Sequence, residues 1–171
     1  MSAREYPDRP IAGVGVVVLK NDQVLMIRRG REPRLGQWSI PGGKQKIGET
    51  WRETAAREVR EETGVEIEVL GLIDVVDAIV RDGDGPRPGT DDPEPRAAND
   101  DTAEDEPRVR YHYTLVDCAA LWTEGEPVAG GDAAHAEWWP LSRLDELSLW
   151  TETVRIITEA AALAAAARHQ N

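Results

Sequence analysis

The sequence has one cysteine, no phenylalanine and no long apolar run among its 171 residues. The single cysteine, Cys118, excludes an internal disulfide and favours a reducing compartment. No stretch approaches the ~20 apolar residues that a helix needs to cross a bilayer, and the polar start MSAREYPDRP lacks the apolar core of a signal peptide. We therefore expect a cytoplasmic protein with no membrane partner.

Positive charge is also scarce. Twenty lysines and arginines stand against 32 acidic residues, which gives a formal net charge of −12. Such a balance argues against nucleic acid as a partner, since nucleic-acid-binding domains usually carry basic patches. Half of the excess lies in residues 81–108, which hold ten acids and four arginines, so the remaining chain is much closer to neutrality.

Residues 81–108 also hold five of the eleven prolines and almost no large apolar side chain. Such a segment cannot offset its ordering entropy, so we expect a mobile acidic insert between two strands. A calcium site is the alternative, because Asp82-x-Asp84 matches the opening of an EF-hand loop, but the fifth and sixth places hold Pro86 and Arg87. Around the insert we expect an N-terminal arm at 1–10 and one domain at 11–168.

The pattern outside the insert predicts an α/β fold with a mixed sheet. Apolar and β-branched runs indicate strands at 11–19, 24–29, 38–40, 65–80, 109–122 and 137–141. One helix is predicted from Thr50, which begins a capping box with Glu53, to Thr63, with Gly64 after its end. A second helix is predicted at 151–168, so two helices pack on the sheet.

The first helix carries a stripe of carboxylates. At 100° per residue, Glu61 and Glu62 fall within about 60° of Glu58 on either side. Another face, which can pack on the sheet, carries Arg52, Ala56, Val59 and Thr63. Converging carboxylates suit a hard divalent cation, and the Gly42-Gly43 pair just upstream allows close approach of a phosphate. A solvated glutamate-rich helix is the alternative, but it leaves the glycines unexplained.

The segment from Gly43 to Val65 resembles the Nudix box, GX5EX7REUXEEXGU with U aliphatic, at every specified place. Gly43 is followed after five residues by Glu49, and after seven more by Arg57-Glu58-Val59-Arg60-Glu61-Glu62-Thr63-Gly64-Val65. The entry W-x-x-P-G-G and the later EGEP…EWWPL are also similar to the family. The similarity covers most of residues 11–165 except the insert.

This resemblance implies an α/β/α sandwich around a mixed β-sheet, with a Mg²⁺ or Mn²⁺ cofactor. Glu58, Glu61 and Glu62 would bind the metal, and the Gly42 carbonyl would be a further ligand. Arg57 would pair with Glu49 and hold the carboxylates in place. The resemblance also leaves a homodimer open.

The general base is left open between a box glutamate and an acid in the later loop AGGDAAHAE, which offers Asp132 and Glu137. We favour Asp132 of these two, because the flexible Gly130-Gly131 pair precedes it. An ordinary loop aspartate is the alternative.

Candidates for substrate binding are Arg28 and Arg29, at the end of the second strand, and Trp38, which could stack on a nucleobase. A solvated strand end and core packing are the respective alternatives.

Within the family the chain looks most like bacterial ADP-ribose pyrophosphatases, which split ADP-ribose into AMP and ribose 5-phosphate. It lacks the proline that many of these carry some fifteen residues past the box. A MutT-type nucleoside triphosphate pyrophosphohydrolase is the alternative, although Trp150-Thr151 replaces the asparagine that tends to precede its last helix. A nucleotide-binding Nudix domain without catalysis is the third possibility.

Overall fold

The protein's computed structural model describes residues 5–31, 35–83 and 107–168. Within these residues, two α-helices flank a seven-stranded sheet. The strands are β1 (Ile11–Lys20), β2 (Gln23–Arg29), β3 (Trp38–Ser39), β4 (Gly42–Lys44), β5 (Glu66–Arg81), β6 (Val109–Glu124) and β7 (Ala133–Pro140). The helices are α1 (Trp51–Thr63) and α2 (Thr151–Arg168), and a 3₁₀ segment (Leu141–Leu147) leads into α2.

The sheet is mixed, as the sequence predicts. Its strand order is β3-β2-β1-β6-β5, with β4 paired to β1 and β7 paired to β2. The central pair β1 and β6 runs parallel, whereas the other pairs are antiparallel. β4 was not predicted, because Gly42–Lys44 has neither β-branched residues nor alternation and owes its pairing to β1.

The side chains of β1 point alternately into two hydrophobic cores, one on each face of the sheet. Val14, Val16 and Val18 pack in the core that contains Val59 of α1. Residues one place along the strand, such as Val17, pack in the core that contains buried side chains of α2. Successive side chains of a strand point to opposite faces, so β1 holds one helix on each side of the sheet. This is the α/β arrangement expected from the sequence.

Helix α1 begins and ends as predicted. The Thr50 side chain accepts from the Glu53 backbone N–H, the Glu53 side chain accepts from the Thr50 N–H, and Gly64 takes a left-handed conformation with φ of 68°. The predicted packing face is partly wrong. Ala55, rather than Ala56, is buried beside Val59 and Thr63, and Arg52 is exposed. Glu62 is buried as well, so the carboxylate stripe reaches into the protein.

The described ends of the insert continue the β5–β6 pair. Arg81 pairs with Val109, and the Asp82 N–H donates to the Arg108 carbonyl. The remainder of the predicted mobile insert, including Asp84 of the calcium alternative, lies outside the described residues. The end of the N-terminal arm contacts this region, since the Tyr6 hydroxyl donates to Asp82. Neither helix in the described ranges is both long enough and apolar enough to cross a membrane.

Candidate active site

A cleft of about 580 Å³ opens where β4 meets β1 and α1. Its wall at one end includes the Gly42-Gly43 pair and carboxylates of α1, and its other end is lined from β5, β6 and the start of α2. The cleft therefore joins the box to a region whose side chains are mainly aromatic and aliphatic.

The glycine pair at the box entry is required by close approach. A Cβ added at Gly42 would overlap the carbonyl oxygen of Val14 on β1. A Cβ added at Gly43 would overlap the carboxyl group of Glu58. Glycine at both positions thus lets α1 bring its carboxylates against the backbone of β4.

Arg57 holds the entry loop to the helix. Its Nε lies 2.6 Å from Glu49 Oε1 and its Nη2 lies 2.8 Å from Glu49 Oε2, so the guanidinium binds this carboxylate through two bonds. These hydrogen bonds lower the pKa of Glu49 to about 2. Nη1 also donates to Glu58 at 2.7 Å and to Glu61 at 3.2 Å. Arg57 therefore positions carboxylates on both sides of the box.

The three carboxylates of the stripe occupy different environments. Glu62 is 5% exposed and accepts a hydrogen bond of 2.9 Å from the Gly42 N–H. Glu61 is half exposed and lies 3.5 Å from Lys46 Nζ. Within the described ranges, no three acidic, histidine or cysteine side chains already converge as a metal-holding cluster. Each carboxylate instead binds groups of the protein itself.

Burial is the main reason that the pKa of Glu62 rises, from an ordinary value of 4.5 to about 7. The negative charges of Glu58 and Asp132 act in the same direction, whereas the bond from Gly42 and the charge of Arg29 oppose it. Glu62 is consequently a carboxyl group that exchanges its proton near neutral pH in the metal-free protein.

The loop before β7 docks on the C-terminal end of α1. The Val128 N–H donates to the Thr63 carbonyl and the Gly130 N–H donates to the Glu62 carbonyl, both at 2.9 Å. A Cβ at Gly130 would lie 2.7 Å from the Glu61 carbonyl oxygen, so glycine permits this contact. The loop thereby donates hydrogen bonds to carbonyl groups at the end of α1 that have no partner within the helix. This docking also brings Asp132 to the cleft.

The two loop acids end in different places. Asp132 lines the cleft, and its Oδ1 lies 2.9 Å from Arg31 Nη1. Glu137 lies in β7, opposite Met26, and its carboxylate is 3.3 Å from His135 Nε2. Glu137 is not among the described residues that line the cleft.

The structure separates the three predicted substrate residues. Arg29 lines the cleft. Arg28 is exposed and its Nε donates to the Gly36 carbonyl at 3.0 Å. The Trp38 ring packs 5.8 Å from the rings of His135 and Trp139, and among the described residues neither Arg28 nor Trp38 lines the cleft.

Sequence reasoning missed the far end of the cleft. Tyr111, Tyr113 and Asp117 line it from β6, and Trp150 and Glu152 line it from the start of α2. The three β6 residues share the odd-numbered places of one strand. This period of two was the available signal, but it does not indicate which face of the sheet holds the cleft.

Comparison with known proteins agrees with this geometry. The family model described as NUDIX domain matches residues 9–160. The chain is 28% identical over 145 residues to the ADP-ribose pyrophosphatase of Methanocaldococcus jannaschii, which covers 85% of this chain and 70% of that protein. It is 29% identical over 143 residues to YjhB of Bacillus subtilis, whose name gives it provisionally as an ADP-ribose pyrophosphatase.

The match to YjhB covers 84% of this chain and 56% of that protein, so the chain spans little more than half of this relative. Among solved structures, a MutT NUDIX hydrolase from Burkholderia pseudomallei has a TM-score of 0.64 and 25% identity. That similarity covers 89% of this chain and 98% of the other.

Proposed function

Because this chain belongs to the Nudix family, we propose that it hydrolyses the pyrophosphate bond of a nucleoside diphosphate joined to a second group. The preferred substrate is ADP-ribose, and the products are AMP and ribose 5-phosphate. The observation that carries this proposal is the cleft that joins the box glycines and carboxylates to an aromatic end that a nucleoside can occupy. Two relatives named for ADP-ribose pyrophosphatase activity support the substrate.

The residues of the site fit a divalent cation, Mg²⁺ or Mn²⁺. Glu58, Glu61, Glu62 and the Gly42 carbonyl would hold it, because hard cations take carboxylate and carbonyl oxygens. Burial is the main cause of the raised pKa of Glu62, and the nearby negative charges of Glu58 and Asp132 add to it, so a cation at this place would relieve their repulsion. When bound, the cation would neutralise charge on the diphosphate and lower the pKa of a bound water.

The protein's own side chains then orient the diphosphate and move a proton. Arg29 and Lys44 line the cleft and place positive charge beside the phosphates. Asp132 accepts the proton of the attacking water at Oδ2, since Arg31 is bound at Oδ1. The water oxygen bonds to one phosphorus atom, the bridging P–O bond breaks, and the second phosphate leaves with the bridging oxygen. Glu62 is the alternative base.

Separation of the products tests this proposal. ADP-ribose is incubated with the protein in Mg²⁺, in Mn²⁺ and in EDTA, and AMP and ribose 5-phosphate are quantified by chromatography. We expect both products with either metal, neither in EDTA, and almost none from Glu62→Gln. An Asp77→Asn variant, altered on the exposed face of β5, serves as the control and should remain active. Failure of wild type to cleave ADP-ribose would refute the substrate assignment.

A MutT-type nucleoside triphosphate pyrophosphohydrolase is the second candidate. The 25% identity to a MutT NUDIX hydrolase, over nearly the whole of that chain, favours it. Release of pyrophosphate and a monophosphate from a nucleoside triphosphate, at a higher kcat/KM than ADP-ribose cleavage, would support this candidate. Nucleotide binding with no hydrolysis of either class would indicate a binding domain without catalysis.

A further inference from the structure

Asp117 presents a buried carboxyl group to the cleft. The residue is 7% exposed, yet it is one of the residues that line the cleft wall. No side chain or backbone group in the described ranges donates a hydrogen bond to its carboxyl oxygens or forms an ion pair with them. Buried polar groups are nearly always hydrogen-bonded, and an unpaired buried carboxylate is costly. Because Asp117 lines the cleft, the partner of its carboxyl has to come from the cleft, as water or as a bound ligand that displaces it.

Arg155, whose positive charge acts on Asp117, binds other carboxylates. Arg155 of α2 donates to Asp74 at 2.7 Å, to Glu152 at 2.7 Å and to Glu159 at 2.8 Å. Burial raises the pKa of the Asp117 carboxyl to about 6, with Asp74 and Glu152 acting in the same direction and Arg155 opposing them. The charged groups around Asp117 are therefore two carboxylates and an arginine that three carboxylates already bind.

The sheet makes room for this carboxyl group. Gly15 of β1 lies opposite Asp117 in the parallel pair, and a Cβ added there would overlap Asp117 Oδ1. A side chain at position 15 would thus push the carboxyl from its place. Gly13, two residues earlier on the same face, similarly faces Leu115.

The position of Asp117 relative to the box fits a nucleotide. Gly42, Gly15 and Asp117 lie opposite one another on β4, β1 and β6. Neighbouring strands lie about 4.8 Å apart, so two steps place Asp117 about 10 Å across the sheet from Gly42. This separation is comparable with the span from the 5′-phosphate of a nucleotide to the far edge of its base. Tyr111, Tyr113 and Trp150 line the same end and offer faces on which a base can stack.

We propose that Asp117 is a specificity-determining residue, whose carboxyl accepts a hydrogen bond from the exocyclic amino group of an adenine base held in the cleft. This inference rests on the proposed function for the identity of the ligand as an adenine nucleotide. A bare carboxylate offers only acceptors, so it favours a base with an amino group over one without. A site built around such a bond rejects an analogue that lacks the donor, because the buried acceptor is then left unpaired.

The test compares AMP with purine riboside 5′-monophosphate, which differs from AMP only in lacking the amino group. Binding to the full chain is measured by calorimetry in EDTA, so that hydrolysis and metal do not contribute. Asp117→Leu removes the acceptor at similar size, and Asp117→Asn retains an acceptor oxygen. Asp77→Asn is the matched control, since Asp77 lies on the paired strand, is exposed and bonds to Thr114 instead.

For wild type we expect AMP to bind at least about tenfold more tightly than the analogue. The ratio should fall to about one in Asp117→Leu, remain above one in Asp117→Asn and be unchanged in the control. Thermal unfolding should show Asp117→Leu to be as stable as wild type, because it removes an unpaired buried carboxyl.

A wild-type ratio near one, the same ratio in Asp117→Leu as in wild type, or no binding of either nucleotide would overturn the inference. The two proposals fail separately. ADP-ribose cleavage with an unchanged ratio in Asp117→Leu would refute only the role of Asp117. Discrimination that depends on Asp117, with no cleavage of any pyrophosphate bond, would refute only the proposed reaction.

Discussion

Replacing Glu62 with glutamine should stabilise the metal-free protein at alkaline pH, even though it should remove activity. The side chain is 5% exposed, and its pKa is raised from 4.5 to about 7. Between these values the folded protein binds more protons than the unfolded chain, so the free energy of unfolding falls as pH rises and levels off above pH 7. At ~1.36 kcal/mol for each pKa unit, the loss at full ionisation is about 3 kcal/mol.

Glutamine keeps an oxygen that can accept from the Gly42 N–H but carries no charge, so this loss should be absent in the variant. Its advantage over wild type should be about 3 kcal/mol at pH 8.5 and about 1 kcal/mol at pH 5.5. The value is smaller at pH 5.5 because this pH lies only one unit above the ordinary pKa of 4.5, and the difference grows until the buried carboxyl ionises at about pH 7. Comparison with wild type at each pH removes the contribution of Asp117, whose pKa is also raised.

Urea unfolding in EDTA, followed by tryptophan fluorescence, measures these free energies. Glu68→Gln makes the same charge change on an exposed residue of β5 and should differ from wild type by less than about 0.5 kcal/mol. Addition of Mg²⁺ should stabilise wild type more than Glu62→Gln. The reasoning is refuted if Glu62→Gln is no more stable than wild type at pH 8.5, or if its advantage does not change with pH.

Four further substitutions test the site and the packing of the helix that carries it. Arg57→Lys should lower kcat by roughly tenfold or more in steady-state assays, since lysine cannot form the paired bonds to Glu49; an unchanged kcat would contradict this positioning role. Glu61→Gln should nearly abolish turnover, whereas Asp132→Asn should have a smaller effect that varies across a substrate panel; full activity in Glu61→Gln and Glu62→Gln would remove the metal assignment. Val59→Ala should lower the urea-derived unfolding free energy by about 2 kcal/mol, because Val59 is fully buried between α1 and the sheet; a loss below about 0.5 kcal/mol would show that this contact does not hold α1.

The helices and strands that were predicted correctly from the sequence are those specified by residues within the element or next to its ends. Thr50 and Gly64 bound α1 because a capping box and a left-handed glycine act within a few residues of the helix end. The strands β1 and β6 follow from long β-branched and aromatic runs. β4 was missed because Gly42–Lys44 carries no such pattern and becomes a strand only through its pairing with β1.

In the candidate site, too, some features follow from local sequence and others depend on tertiary contacts. The spacing of Glu58, Glu61 and Glu62 on one helix predicts that they share a side, since it follows from 3.6 residues per turn. It does not predict that Glu62 is buried and Glu61 half exposed, because those exposures depend on the strand and loop that pack against α1. Asp117 likewise gave no sign of facing a cleft, since its carboxyl fits only because Gly15 stands on the neighbouring strand.

The sequence by itself thus determined the family resemblance, the bounds of α1 and the α/β class, because spacing, capping and periodicity are properties of short stretches of chain. Only the tertiary structure decided that Arg29 lines the cleft while Arg28 and Trp38 do not, and that the loop before β7 brings Asp132 close to Glu62. It also decided that the far end of the cleft is lined from β6 and the start of α2. Burial, electrostatic crowding and the walls of a cleft come from contacts between segments far apart in the sequence, and no local pattern specifies those contacts.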